Sequence, residues 1–497
     1  MNLGAIIENH PDDATALISR GAVTTYGELR DQVAHLRGGL MTLGVEPGDR
    51  VALALSNNWF FVVAYLATLG VGAVAVPLNP SSPMAELEGE LRVVRPKVLI
   101  AAAAAAAGVQ GLDRPSLGIE HFFAPDDSGI EGAESFESLM QGAPAPVVDV
   151  APDDLAVLIF TAGTGGSPKA AMLTHNNLLS NIEQAQNHAG SEVRSDDIAF
   201  GVLPMFHIFG LNVVLGVALH AGAAVVLVER FDPLSAIETI RDRKITVVAG
   251  APTMYAAMMS MPRATARDLS TVRLALTGAA PLPPEVATGF FDHFAVPLRQ
   301  GYGLTEASPV VTSSVIDGEP RPYSIGTVLP GMEVRLVDEE GEDALEGDAG
   351  EIWVRGPNVF AGYWENPEAT AHAVTDDGWL RTGDVAVADD DGYLYLIDRA
   401  KDLIIVSGFN VYPAEVEDAL IAHPGVAEVA VVGVQHPHSG ETVKAFVVAE
   451  PGIHLEEDQL IDFVGKRLAR YKCPTKITFV EELPHGLGGK LLRRALR

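Results

Sequence analysis

Over roughly its first 400 residues the chain repeats one pattern: a short apolar run, a few small or turn-forming residues, then an amphipathic helical stretch. RVALAL (50–55) runs into NNWFFVVAYLATLG, and AVVLVE (224–229) into DPLSAIETIRDR. KITVVAGAPTMY and RLALTGAAPL each bring a strand-like run directly to small residues. Strands alternating with helices are what a parallel sheet needs, because each crossover must carry the chain back along the sheet. The pattern therefore predicts an α/β fold, with ligands expected beyond the carboxyl ends of the strands, where the small-residue turns fall.

From Val328 the texture changes. GMEVRLVD, GEIWVRG and GWLRTGDVAVADDDGYLYLIDR alternate apolar and polar residues between Gly/Asp turns, which predicts hairpins. After DRAKDLI the chain returns to short α/β units. The division expected is a large N-terminal domain over 1–398 with layered α/β parts and a β-rich part. A hinge at 399–402 and a small α+β domain over 403–497 follow. The seven alanines at 101–107 predict a short surface helix, since alanine is the best helix former, and 108–149 reads as loops.

Composition excludes several classes. A chain of 497 residues is too long for one core. No apolar run is long enough to span a bilayer, and MNLGAIIENHPDDA shows no basic-then-apolar leader, so a cytoplasmic location is expected. The net charge of −31 opposes binding to nucleic acid or anionic lipid. One end departs from that balance: 461–497 holds nine basic residues against three acidic ones, as a lid over an anionic ligand would. The single cysteine, Cys473, excludes an internal disulfide and a multi-thiolate metal site.

The apolar run LAVLIF (155–160) leads into TAGTGGSPKA (161–170), a glycine-rich loop with a lysine. A nucleotide-hydrolase P-loop places glycine immediately before lysine and Ser/Thr immediately after. Here Pro168 and Ala170 occupy those places, which excludes that reading. Backbone N–H groups and the Thr161 and Thr164 hydroxyls remain to wrap phosphate oxygens.

This loop resembles the phosphate loop of the adenylate-forming acyl-CoA synthetases. Five further segments resemble that family in order: TGAAPL (277–282), QGYGLTE (300–306), GWLRTGD (378–384), DRAKDLIIVSGFNVYPAEVE (398–417) and LPHGLGGKLLRR (483–494). The resemblance covers essentially the whole chain. It implies an ATP- and Mg²⁺-dependent enzyme that activates a carboxylic acid as its acyl-adenylate, then passes the acyl group to coenzyme A. Such a step brings an anion to a polyanion, so it needs cations and N–H donors where charge develops.

The resemblance also implies roles. Thr161, Ala162, Gly163, Thr164, Gly165, Gly166 and Lys169 would cradle the ATP phosphates. Gly278, Ala279, Ala280, Gly301, Tyr302 and Gly303 would form the nucleotide pocket, with Tyr302 on adenine. Thr305 would bond the α-phosphate and Glu306 hold Mg²⁺. Asp384 and Arg399 would bind the ribose. Lys490 would bridge the α-phosphate and the substrate carboxylate during adenylation. In PMFHIFGLN, His207 and Phe206 would line the acyl pocket with Gly301. Lys401 would be the hinge about which the C-terminal domain rotates, bringing Ser407, Gly408 and Phe409 to the site for CoA.

The chain departs from the family pattern at Ala162, where serine is usual, and at Gly165, where threonine is usual. Ala170 and Gly488 also stand where glycine and a hydroxyl residue are usual. The expected substrate is a medium- or long-chain fatty acid. An aryl or small carboxylic acid, a separate acyl-carrier protein as acceptor, and a non-catalytic acyl-adenylate-binding relative are the alternatives. Monomer and homodimer stay open.

Overall fold

The computed structural model describes the chain except residues 162–167, 315–320, 322, 339, 346, 400–403, 451, 485–495 and 497, and except the side chains of 397–399, 410 and 414. Three sheets organise it. A seven-stranded sheet runs, edge to edge, through Glu134–Ser135, His121–Ala124, Val98–Ala101, Arg50–Ala54, Val74–Pro77, Leu155–Thr161 and Lys169–Thr174. All its pairings are parallel except the last. Helix Trp59–Gly70 is apolar on every side and buried from Phe61 to Gly70, as a helix enclosed between layers must be. Asn58 starts it by accepting from the Phe61 N–H.

The second sheet has thirteen strands and changes character midway. From Thr15–Ser19 to Leu298–Gly303 the strands are parallel; beyond, they are antiparallel hairpins, as the change in texture after Val328 leads one to expect. The change falls on Leu298–Gly303, which pairs parallel with Leu274–Thr277 on one side and antiparallel with Val310–Ser313 on the other. QGYGLTE leaves the sheet at this junction. The third sheet, of five strands, belongs to the C-terminal region: Ile404–Val406, Phe409–Val411, Val426–His436, Gly440–Ala449 and Lys476–Phe479. Helices Pro413–Ile421 and Glu457–Gly465 cover its own apolar core.

Two expectations are corrected. The alanine run is not one surface helix: Ala101 ends the strand Val98–Ala101 in register with Ala54, and only Ala106–Val109 is α-helical. Sheet pairing outweighs a propensity of a few tenths of a kcal/mol per residue. The stretch 108–149 is not all loop either, since His121–Ala124 extends the same sheet beside Val98–Ala101, burying Phe122 and Phe123.

Candidate functional site

The glycine-rich segment connects two antiparallel strands, Leu155–Thr161 and Lys169–Thr174, which pair Thr161 directly with Lys169. Residues 162–167, hence Ala162, Gly163, Thr164, Gly165 and Gly166, lie outside the described residues. Beyond the second strand, Thr174 caps helix His175–Asn187 in a reciprocal pair with Asn177. The other edge of Lys169–Thr174 takes up an extended segment at 361–364, through Met172 N–H to Gly362 O (2.9 Å) and Trp364 N–H to Ala170 O (2.8 Å). That register brings the Tyr363 ring to 5.5 Å from the Lys169 ammonium, a cation–π contact.

Thr305 and Glu306 sit on the short 3-10 turn Thr305–Ala307. The turn is gripped from below by buried amides. Asn358 donates to Ala307 O (2.7 Å), Asn212 to Ser308 O (2.7 Å), and Asn181 exchanges two bonds with Val310 (2.8 and 3.0 Å). Each fixes backbone rather than another side chain, so the turn's place in space is specified at several points. Gly303 is required: a Cβ there would stand 2.1 Å from Pro309 O. Glu306 faces Tyr363, whose hydroxyl donates to Oε1 at 2.6 Å. Burial and that carboxylate hold the phenol far above its ordinary pKa, so it remains a donor.

The Tyr302 hydroxyl donates to Asp384 Oδ2 at 2.8 Å, and the Gly383 N–H to Glu351 at 2.7 Å. These strands therefore share one wall. Thr161, Lys169, Ala279, Ala280, Gly301, Tyr302, Gly303, Thr305, Glu306 and Asp384 all line a single polar cleft of ≈ 990 Å³, with Phe206 and His207 at its edge. Gly278 lines the adjoining cleft instead. Arg399 ends strand Leu394–Arg399 opposite Asp384, but its side chain, Lys401 and Lys490 lie outside the described residues.

The adjoining cleft, ≈ 640 Å³, is mostly apolar, with Val213, Val214, Val217, Met254, Leu276 and Phe209 among its lining. Asn57 shapes its mouth by holding Gly201 O, Leu203 O and the Met205 N–H, which sets the loop carrying Phe206 and His207. The buried His207 Nε2 has no partner among the described residues. Burial, with Lys472 nearby, lowers its pKa to about 4, so the imidazole is neutral at pH 7. The two clefts meet along His207, Gly301, Tyr302, Gly303 and Thr305, which line both.

Ser407, Gly408 and Phe409 also line the apolar cleft, so the C-terminal region stands against the site. Phe409 packs 5.2 Å from the His207 ring and stacks at 4.5 Å on Tyr471. Gly408 has φ +87°, and a Cβ there would lie 2.7 Å from the Ala251 Cβ, so only glycine permits this approach. Lys472 lines the polar cleft, but its charge is paired with Glu86 (2.5 Å) and Glu415 (2.7 Å). Cys473 is a packed thiol, pushed up to about 11 by burial, and bonds the Leu468 and Ala469 carbonyls.

Sequence reasoning missed Tyr363, Glu351, Tyr471 and Lys472. Tyr363 had only the context GYWENPEAT, and YKCP drew attention to its cysteine. His438 is exposed and lines the apolar cleft.

The comparisons agree with this geometry. A family model described as AMP-binding enzyme matches residues 5–364, and one described as AMP-binding enzyme C-terminal domain matches 415–490. The chain is 36% identical to a long-chain-fatty-acid–CoA ligase of Bacillus subtilis (strain 168), covering 97% of this chain and 91% of the relative. It is 39% identical to a feruloyl-CoA synthase of Amycolatopsis sp, covering 97% and 95%. The amide bond synthetase McbA from Marinactinospora thermotolerans superposes with a TM-score of 0.88 at 30% identity, covering 100% of this chain and 99% of that one. With a glycine-rich hairpin, a braced Thr–Glu turn and an apolar cleft meeting in one place, the chain belongs to the AMP-binding enzymes, as one of the adenylate-forming acid–CoA ligases.

Proposed function

We propose that the protein joins a hydrophobic monocarboxylic acid, a medium- or long-chain fatty acid, to coenzyme A at the expense of ATP. The observation that carries this reading is the seam between the clefts: one polar chamber and one apolar chamber share His207, Gly301 and Thr305. A carboxylate held at that seam has its chain in the apolar chamber and the α-phosphate before it. Its oxygen attacks the α-phosphorus, the bond to the β-phosphate breaks, and pyrophosphate leaves. The CoA thiolate then attacks the carbonyl carbon and AMP departs.

This chain's residues divide the work. Lys169 and the glycine-rich segment meet the outer phosphates, Thr305 the α-phosphate, and Asp384 the ribose. Neutral His207, with an unpaired nitrogen, is suited to donate to a carboxylate or carbonyl oxygen. Glu306 fits Mg²⁺, a hard cation that takes one or two protein carboxylates and draws its other ligands from phosphate and water. When bound, the metal would neutralise phosphate charge.

The charges lining the apolar cleft favour a single carboxylate in the substrate. Glu229 is engaged by Arg20 and Asn58, and Arg470 is exposed. Among the described residues, Arg470 is the one lysine or arginine lining this cleft, and it is exposed rather than set in the apolar walls. The likeness to a feruloyl-CoA synthase supports an aryl acid as the second reading.

The deciding assay measures pyrophosphate release with ATP, Mg²⁺ and a panel of fatty, cinnamic and short dicarboxylic acids, with and without CoA. Release that depends on fatty acids and is accelerated by CoA is expected. Preference for cinnamic acids supports the second reading, and indifference to CoA points to a carrier protein. No release with any acid refutes the ligase.

A further inference from the structure

An ion-pair contact joins the C-terminal region to the rest of the chain along the polar cleft. Lys472, 7% exposed, places its ammonium between Glu86 (2.5 Å) and Glu415 (2.7 Å). Glu86 lies on helix Met84–Val94 of the large region, and Glu415 on helix Pro413–Ile421 of the small one. Glu86 uses its second oxygen as well, accepting from the Ala469 N–H at 2.7 Å. Glu90, one turn further along Met84–Val94, has a buried oxygen without a partner among the described residues, as does Glu415. Glu86 and Glu415 thus flank the ammonium, with Glu90 one turn away, and all four side chains line the polar cleft.

We propose that Lys472 with Glu86, Glu90 and Glu415 is a positioning cluster that holds the C-terminal domain in the orientation used for thioester formation. The proposal rests on the ligase reading for what that orientation does. The geometry runs from the cluster to the site in three steps. Lys472 fixes its neighbour Tyr471; Tyr471 stacks on Phe409; Phe409 packs on His207 at the seam. Releasing Lys472 from Glu86 frees that stack to leave. A buried ion pair seldom adds much to stability, but one partner left unpaired in the interior is strongly unfavourable, so the cluster acts as a latch with a defined register.

The latch also carries a proton. Burial, then the charges of Glu86 and Glu415, push the Glu90 carboxyl up to about 8, against the pull of Lys472. Tyr471 is the other titratable group close by, and its phenol is itself raised by burial. When the domains part, Glu90 loses its burial and the facing charge of Glu415, while Glu86 stays one turn away on the same helix, so its pKa falls toward the ordinary carboxylate range without losing every raising charge. Docking thus takes up a proton between that range and about 8. It weakens as pH rises toward about 8 and is insensitive to pH above that.

Domain orientation can be read independently of activity. Fluorescence transfer is measured between dyes on cysteines introduced at the exposed Val23 and Ile453, in a Cys473→Ser background. Glu86→Gln is expected to shift the transfer efficiency and to slow thioester formation from a supplied acyl-adenylate by roughly tenfold or more, while acid-dependent pyrophosphate release is spared. Glu90→Gln is expected to leave the latch closed and to remove the pH slope below 8. Unchanged transfer in Glu86→Gln, or equal slowing of both half-reactions, overturns the proposal. A wild-type protein that releases no pyrophosphate with any acid refutes the ligase reading instead, and the transfer measurement alone then decides whether the cluster sets orientation.

Discussion

Removing one oxygen atom at Tyr363 tests whether the Thr–Glu turn and the phosphate hairpin work as one unit. The Tyr363 hydroxyl is 2.6 Å from Glu306 Oε1, and its ring carries the Lys169 ammonium at 5.5 Å. Tyr363→Phe keeps the ring, and the backbone stays anchored by Met172, Trp364 and the Thr370 hydroxyl, which accepts from the Tyr363 N–H at 2.9 Å. Only the hydrogen bond to a carboxylate is lost. Such a bond is worth about 1.5–3 kcal/mol, and loss of an outer partner typically costs a metal ligand about 10–100-fold in affinity. The half-saturating Mg²⁺ concentration for acid-dependent pyrophosphate release should therefore rise at least about tenfold. Thioester formation from a supplied acyl-adenylate should not change, because that step does not use the outer phosphates. Tyr363→Leu removes the ring too, and should additionally raise the KM for ATP through Lys169. If Tyr363→Phe shows wild-type Mg²⁺ dependence with an unaltered melting temperature, Glu306 does not depend on Tyr363, and the account of this wall is wrong.

Other perturbations separate the parts. Gly408→Ala forces a Cβ against Ala251 and strains φ +87°, so the thioester half-reaction should fall steeply while pyrophosphate release persists. Asp384→Asn removes the charge that receives the Tyr302 hydroxyl and should raise the KM for ATP more than it lowers kcat. Lys490→Ala should abolish adenylation and largely spare thioester formation from supplied adenylate; equal loss of both would refute a rotating C-terminal domain. Buried His175, lowered by burial to about 4, binds its proton more weakly folded than unfolded. Stability should therefore fall as pH drops from 6.5 toward 4, by up to about 3 kcal/mol from this residue, as read from urea midpoints.

Much of this was legible in the residues because it is local. The alternation of apolar runs and helices predicts the parallel strands, and the Gly/Asp hairpin texture predicts the antiparallel ones. The motifs lie where small residues mark strand ends, which is why Thr161, Lys169, Tyr302, Thr305, Glu306 and Asp384 converge on one cleft. What escaped depends on register between distant segments. Ala101 is a strand residue only because Ala54 is opposite it. Tyr363 matters because its segment adds to the edge of Lys169–Thr174, and nothing within GYWENPEAT announces that pairing. Lys472 reads as part of a basic tail until Glu86, almost 400 residues earlier, is brought to it.

The hairpin at the phosphate loop has one more consequence. A P-loop ends in a helix whose aligned peptide dipoles confront the phosphates with roughly half a positive charge. Here Lys169 opens a strand, and the next helix begins only at His175, after that strand has ended. The element that follows the loop delivers no macrodipole, so on the proposed reading neutralising the nucleotide would fall to Lys169 and a dissociable metal. A site built this way would hold the phosphates without a fixed electrostatic trap. It should also respond to ionic strength more sharply than a site whose positive field is built into the fold.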